Sequence, residues 1–402
     1  MRIASFSDSF YPELSGISDS TITLAKELAK RGHHVRFYAP AYTAKDYAKV
    51  GRMRNEELSL GPNISIKRFF SIPYPGATGQ SRMAIPSPWG WYDAYRWKPD
   101  IIHSQLFFGV GCEALIAAKL LNIPLIGTNH TAITEFIRYS PVQAEWLKTA
   151  SINYAVWYYG HCNFVTAPSE SVFTEMEHYG FTTPHKVVSN PIHTEIFSPV
   201  STAKKKALKK RWGLGEHTMF YAGRLAPEKN IEVLIKALAL VRKKIKTAQL
   251  VIAGHGAHMI NLQKLADELQ EMHLEKAVVF LGSVKQEVLA DLYRASEIFA
   301  IASTSETQSL TLMQGMASGI PVVGANARAL PEYITPKNGF IFEPNNAGEC
   351  AGKMIRLLEN PRLRATLGKG GRSTAEKFSV THIGDTWEAI YKKVISERTI
   401  KR

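Results

Sequence analysis

Residues 2–40, RIASFSDSFYPELSGISDSTITLAKELAKRGHHVRFYAP, change hydrophobic period twice. The run IASFS suits a buried strand. TITLAKELAKRG repeats its apolar residues at helical spacing and stops at Gly32, and HHVRFYAP returns to a strand pattern. Strand, amphipathic helix and strand in that order open a βαβ unit, and hence a parallel sheet with helices on its faces. The alternation continues through DIIHS (100–104), CEALIAAKLLN (112–122), PLIGTNH (124–130), an aromatic helix around NYAVWYYG (153–160) and FVTAPS (164–169).

A second series follows the stretch NPIHTEIFSPVSTAKKKALKKRWGLG (190–215), whose two prolines and basic polar helix read as an interdomain connection. Its strands are TMFYAG (218–223), AQLVIAG (248–254), AVVFLG (277–282), IFAIAS (298–303) and IPVVGA (320–325). The expected division is 1–197, 198–377 and a closing helix, 378–402, that crosses back onto the first domain with Trp387, Ile390 and Val394 on one side. A chain of 402 residues fits two α/β domains of roughly 200 residues each.

Composition narrows the function classes. No stretch of about 18 apolar residues is present, so no spanning helix is expected, and the opening residues lack the pattern of a signal peptide. Cys112, Cys162 and Cys350 have no metal-ligand or disulfide spacing and read as buried thiols in a reducing cytoplasm. The net charge of +14 is uneven: residues 1–197 carry 18 Lys and Arg against 16 Asp and Glu, and the remainder carries 31 against 19. The excess sits in KKKALKKR (204–211), RKKIK (242–246) and the last dozen residues, either as solvated helix faces or as attraction to anionic lipid heads. Without zinc-finger spacing or an RNP-like aromatic motif, no nucleic-acid partner is expected.

Two motifs carry chemistry. In SETQSLTLMQGMASGIPVV (305–323), Glu306 lies in a strand-to-helix loop and Ser309, Leu310 and Thr311 offer backbone N–H groups at a helix start, which suits a diphosphate. Glu306 can bond sugar hydroxyls; the alternative is a carboxylate that caps the helix. In YAGRLAPEKN (221–230), Arg224 and Lys229 stand on a short loop at the carboxyl end of a strand, where α/β sheets bind ligands.

In order and separation these motifs resemble glycosyltransferase family 4, whose members share the GT-B architecture of two Rossmann-like, doubly wound domains facing a central cleft. The resemblance is strongest over 186–345. It extends to YPELSGIS (11–18), with Ser15 and Gly16 at the glycine-rich loop near the donor phosphate, to TNHT (128–131), KVVSNPIHTEIFSP (186–199) and VIAGHG (251–256). The resemblance implies that Arg224 and Lys229 neutralise the departing diphosphate, Glu306 holds the sugar and His130 contacts it near the anomeric carbon. Gly254, Ser309, Leu310 and Thr311 then lie at the nucleotide. Gln314 stands where the family usually has a second glutamate for the ribose, and lacks the charge-assisted bond of a carboxylate. Ser15-Gly16 replaces a pair of glycines, tolerable if the serine φ is negative, and Ile192-His193 replaces Val-Asp. His103 is not assigned a catalytic part.

The resemblance further implies a retaining transfer driven by preorganised positive charge. With no D-x-D triplet, neither a metal nor another cofactor is expected, the nucleotide sugar being a substrate. TNHTAITEFIRY (128–139) is similar to diacylglycerol glucosyltransferases, and SPWGWYDAYRW (87–97) suits a lipid interface. The expected acceptor is therefore a membrane lipid, met by a cytoplasmic protein attached peripherally to the inner membrane face. A soluble sugar or sugar-phosphate acceptor and a non-catalytic nucleotide-sugar sensor are the alternatives. A nicotinamide oxidoreductase would need G-x-G-x-x-G after a strand, which the opening turn does not supply.

Overall fold

The computed structural model describes residues 1–13, 15–49, 58–74, 80–85, 87, 89–133, 144–270 and 277–400. The chain forms two compact α/β units, one from Met1–Pro191 with Val380–Arg402, the other from Ile192–Ser379.

The first unit holds β1 (Arg2–Phe6), β2 (His34–Pro40), β3 (Ile64–Phe69), β4 (Ser71–Pro73), β5 (Arg82–Ala84), β6 (Ile101–Ser104), β7 (Leu125–Thr128), β8 (Phe164–Ala167) and β9 (His185–Val187). Seven of them make a parallel sheet in the order β3-β2-β1-β6-β7-β8-β9; β4 and β5 form a separate antiparallel pair. Sequence order reverses between β1 and β6, so the loops after these strands diverge to opposite sides and leave a crevice at their carboxyl ends. The helix Gly16–Lys30 starts on Ser15, whose Oγ accepts the Ser18 N–H at 3.1 Å, and buries Leu24, Ala25 and Leu28. Ser15 has φ −144°, so its side chain costs no strain.

The helix Val380–Ile400 belongs to this first unit. Arg31 fastens it, donating to Glu27 at 2.9 Å, Asp385 at 2.6 Å and the Thr381 carbonyl at 2.8 Å. Trp387, Ile390, Tyr391 and Val394 are buried along one face.

The second unit is a six-stranded parallel sheet of β10 (His217–Ala222), β11 (Ala248–Ala253), β12 (Val278–Gly282), β13 (Ile298–Ile301), β14 (Val322–Ala325) and β15 (Gly339–Phe342), ordered β12-β11-β10-β13-β14-β15. Its switch point lies between β10 and β13. The units divide at Pro191/Ile192 rather than at 197/198, because Ile192 and Phe197 are 3% and 1% exposed within the core of the second unit. Polar composition suggested a linker, yet Ile192 and Phe197 anchor it in that core. Much of the basic run 204–211 is likewise engaged: Lys205 and Lys209 meet the buried Glu297 at 3.0 and 2.7 Å. No helix among the described residues is long and apolar enough to cross a membrane.

Candidate functional site

The switch point of the second unit gathers both chemical motifs. After β10 the chain runs through Gly223 and Arg224 to a short 3₁₀ turn, Pro227–Lys229, and Asn230 ends that turn at φ 47°, a left-handed conformation that Asn tolerates. Asn230 Nδ2 donates to the Ala302 carbonyl at 3.4 Å and to Thr304 Oγ1 at 3.3 Å, and the Thr304 N–H donates to the Glu228 carbonyl at 3.2 Å. The loops after β10 and β13 are thus stitched together. Across that seam Lys229 Nζ lies 2.6 Å from Glu306 Oε1, with the two side chains 16% and 12% exposed. Arg224 pairs with Glu228 at 2.6 Å.

These pairs fix geometry rather than simply adding cations. An ammonium has three donors, so Lys229 can hold Glu306 and still face a phosphate oxygen. Glu306 does not cap the following helix, Leu310–Ala317: Ser309 does, its Oγ accepting the Leu312 N–H at 3.2 Å. Leu310 and Thr311 occupy the first helical positions, whose N–H groups have no intrahelical acceptor and point out of the helix end. Gln314 sits with Oε1 3.4 Å from the hydroxyl of buried Tyr293, which donates mainly to the Thr311 carbonyl at 2.7 Å. Gly254 follows β11 with φ 142°, and its N–H donates to the Gly282 carbonyl at 2.8 Å. Glu228 and Asn230 escaped the sequence reading, although Glu228 stands four residues from Arg224, a spacing that favours an ion pair.

In the first unit, Ser15 and Gly16 lie at the first helix start, and the Ser15 hydroxyl also meets Ser9 Oγ at 2.8 Å. His130 follows β7, and its Nε2 lies 2.9 Å from Gln105 Oε1. Residues 134–139 of TNHTAITEFIRY lie outside the described residues. His103 is 1% exposed and packs tilted against Trp387 with ring centroids 4.5 Å apart. Burial pushes the His103 imidazole down to about 3 and that of His130 down to about 4. Such a histidine stays neutral in the folded chain while the unfolded chain takes up a proton below about pH 6.5, so its stabilising contribution is complete above that pH and is lost as pH falls toward 3. Urea unfolding at pH 7.5 and pH 5 should show the parent losing about 2 kcal/mol more than His103→Gln over this interval. Equal losses would mean that His103 does not titrate as its burial requires.

Family comparison divides the chain as the two sheets do. Residues 14–196 match the model of Glycosyltransferase Family 4, and residues 204–374 match Glycosyl transferases group 1. The chain is 30% identical over 342 residues to alpha-monoglucosyldiacylglycerol synthase of Streptococcus pneumoniae, covering 84% of this chain and 74% of that one. It is 28% identical to a GDP-mannose-dependent alpha-mannosyltransferase of Corynebacterium glutamicum, over 85% of this chain and 77% of the relative. The fold is similar to that of Anabaena HepE, solved in complex with UDP, with a TM-score of 0.78 at 20% identity, covering 98% of this chain and all of the other.

Proposed function

This chain belongs to glycosyltransferase family 4 and is a glycosyltransferase, and on that footing we propose that it moves a hexose from a UDP-sugar to a membrane lipid such as diacylglycerol, with retention at the anomeric carbon. Glucose is the first sugar to try, given the S. pneumoniae relative.

The observation that carries the lipid acceptor is an apolar face on the first unit. Of fifteen exposed large hydrophobic side chains among the described residues, twelve belong to that unit. Trp89, Tyr92 and Tyr95 form one stripe on the helix Trp89–Trp97, and Trp146, Tyr154 and Trp157 another on the helix Glu145–Gly160. Between them the helix Gly109–Leu121 packs against the first and bears exposed Ile116 and Leu120; its Cys112 Sγ meets Tyr154 Oη at 3.1 Å. Exposed patches of this kind mark interaction surfaces, and Trp and Tyr, with an apolar body and a polar edge, favour the lipid headgroup level.

In this reading Arg224, Lys229 and the N–H groups of Leu310 and Thr311 hold the diphosphate, with Ser309 setting the helix start and Gly254 letting the backbone come close. Glu306 accepts from sugar hydroxyls, Gln314 bonds the ribose, His130 contacts the sugar, and Ser15-Gly16 completes the phosphate loop. The departing phosphate oxygen receives the acceptor proton on the face where the new bond forms, so the chain contributes positioning and fixed charge. No metal is required, and UDP release should be unchanged by EDTA.

The test is UDP release from UDP-glucose with diacylglycerol vesicles, with GDP-mannose and soluble sugars as parallel arms. Vesicle-dependent UDP release is expected, together with a loss of vesicle co-sedimentation and at least tenfold slower lipid transfer in Trp89→Ser/Trp157→Ser. Release with soluble sugars alone, or only from GDP-mannose, would overturn the acceptor or the donor respectively.

A further inference from the structure

The two sheets share one strand order, so each part of the switch point in the second unit has a counterpart in the first. Outward from the reversal, β1, β2 and β3 match β10, β11 and β12, and β6, β7 and β8 match β13, β14 and β15. The counterpart of the loop bearing Arg224 and Lys229 is the stretch 7–13 after β1. That of the helix start at Leu310 and Thr311 is the start of the helix Gly109–Leu121 after β6.

The chemistry at these counterparts is inverted. Where the second unit places two cations, the loop after β1 places two carboxylates, Asp8 and Glu13, 7% and 6% exposed. The start of Leu310–Ala317 keeps N–H groups without an intrahelical acceptor, whereas the start of Gly109–Leu121 is closed from within. Asp8 Oδ1 accepts the Val110 N–H at 2.7 Å, and Oδ2 accepts those of Phe108 and Gly111, each at 3.2 Å. Glu13 accepts from the Tyr42 hydroxyl at 3.2 Å and from Ser81 Oγ at 3.0 Å. Arg68, over the Tyr42 ring, donates to the Pro40 and Tyr11 carbonyls at 3.0 and 2.8 Å. Burial pushes the Asp8 acid up to about 6, against the pull of its three N–H bonds, so it is ionised at neutral pH. A helix end carries roughly half a positive charge, so a full carboxylate there leaves that end net negative.

We propose that Asp8 is a specificity-determining residue, which fills the anion position of the first unit's crevice so that an uncharged acceptor hydroxyl is admitted and a phosphate-bearing acceptor is rejected. This deepens the function proposed above, which brings the acceptor to the first unit, and it rests on that reading. A phosphate entering the crevice meets a fixed like charge in a poorly hydrated setting, where repulsion is screened far less than in water. A hydroxyl such as that of diacylglycerol meets no such repulsion. The helix end at Ser15-Gly16 is capped by a neutral hydroxyl and is left to the donor phosphate.

Acceptor choice tests this in the full chain. With UDP-glucose and vesicles holding diacylglycerol and phosphatidylglycerol together, the parent should glucosylate diacylglycerol about 100-fold faster. Asp8→Asn, of the same shape but without the charge, should cut that preference by about tenfold. A helix-capping role alone would slow both lipids equally; an unmoved ratio overturns the proposal, as does a parent that uses phosphatidylglycerol as readily. The second measurement is titration of inorganic phosphate into protein saturated with UDP, which fills the donor site. Asp8→Ser shortens the side chain and frees the three N–H groups, and should bind phosphate about tenfold more tightly than the parent. Equal binding overturns the closure of the helix end by Asp8. This titration needs no transfer, so if neither lipid is glucosylated the function proposed above fails, and phosphate binding still decides whether Asp8 excludes anions.

Discussion

Glu306→Ala should cut sugar transfer by about 10³-fold, roughly 4 kcal/mol of transition-state stabilisation, while UDP binds the variant as tightly as the parent or more tightly. The two directions have one cause. The Glu306 carboxylate is the partner of Lys229 at 2.6 Å, and the Glu306 carbonyl is held by the Ala329 N–H at 3.2 Å. Truncating the side chain leaves the loop anchored but removes the acceptor for sugar hydroxyls and releases the Lys229 ammonium from its counter-charge. A freed cation favours the diphosphate product, so the inhibition constant for UDP should fall or hold as kcat/KM collapses. Lys229→Ala should weaken both, because the cation goes and a carboxylate is left facing the phosphates. Steady-state kinetics with UDP as inhibitor distinguishes the cases. Transfer within tenfold of the parent, or UDP affinity lost together with activity in Glu306→Ala, would remove Glu306 from its proposed place.

The residue types at this site were legible in the sequence; their pairing was not. YAGRLAPEKN and SETQSL announce cations and a carboxylate at strand ends, and the parallel sheet puts β10 beside β13. Nothing in either motif says that Lys229 would reach Glu306 across the seam while Arg224 turns back to Glu228. That choice follows from the left-handed Asn230 and its bonds to Ala302 and Thr304, contacts over 72 and 74 residues of sequence. His103 presents the same difficulty: DIIHS marks a strand with a histidine next to its end, but its partner Tyr391 is 288 residues away. Period and motif reveal what a strand end carries, and only tertiary packing reveals what it touches.

The same division runs through the fold. Strands buried on both faces, such as β10, β11 and β14, read as unbroken apolar runs and stand out in the sequence. Of those at the sheet edges, β12 was legible as AVVFLG, but the other three were not. ISIKRF (β3) mixes apolar with polar and basic residues and is half exposed, HKV (β9) has three residues, and GFIF (β15) opens on a glycine after loop residues. Each pairs on one side only, so its composition answers to solvent as much as to the core.

Gly254→Val should destabilise the second unit by about 3–5 kcal/mol and misplace Arg224 in whatever still folds. At φ 142° a β-branched residue is strained before any contact is considered. A Cβ there would also lie far inside van der Waals contact distance of the Gly223 carbonyl oxygen, which is backbone and cannot rotate away. Relief requires the loops after β10 and β11 to part, yet the Gly223 N–H bonds Ala253 at 3.0 Å and the Leu225 N–H bonds His255 at 3.0 Å. Opening that seam breaks both bonds on either side of Arg224. Gly213 supplies the comparison: it too has positive φ, 63°, but no atom lies within 4 Å of where its Cβ would be. Gly213→Ala carries only the local backbone cost, about 1 kcal/mol. Denaturant midpoints should therefore separate the two variants clearly, with transfer reduced at Gly254 and retained at Gly213. Comparable midpoints would mean that the seam between the two loops yields easily, and that close backbone approach at Gly254 does not hold Arg224 in place.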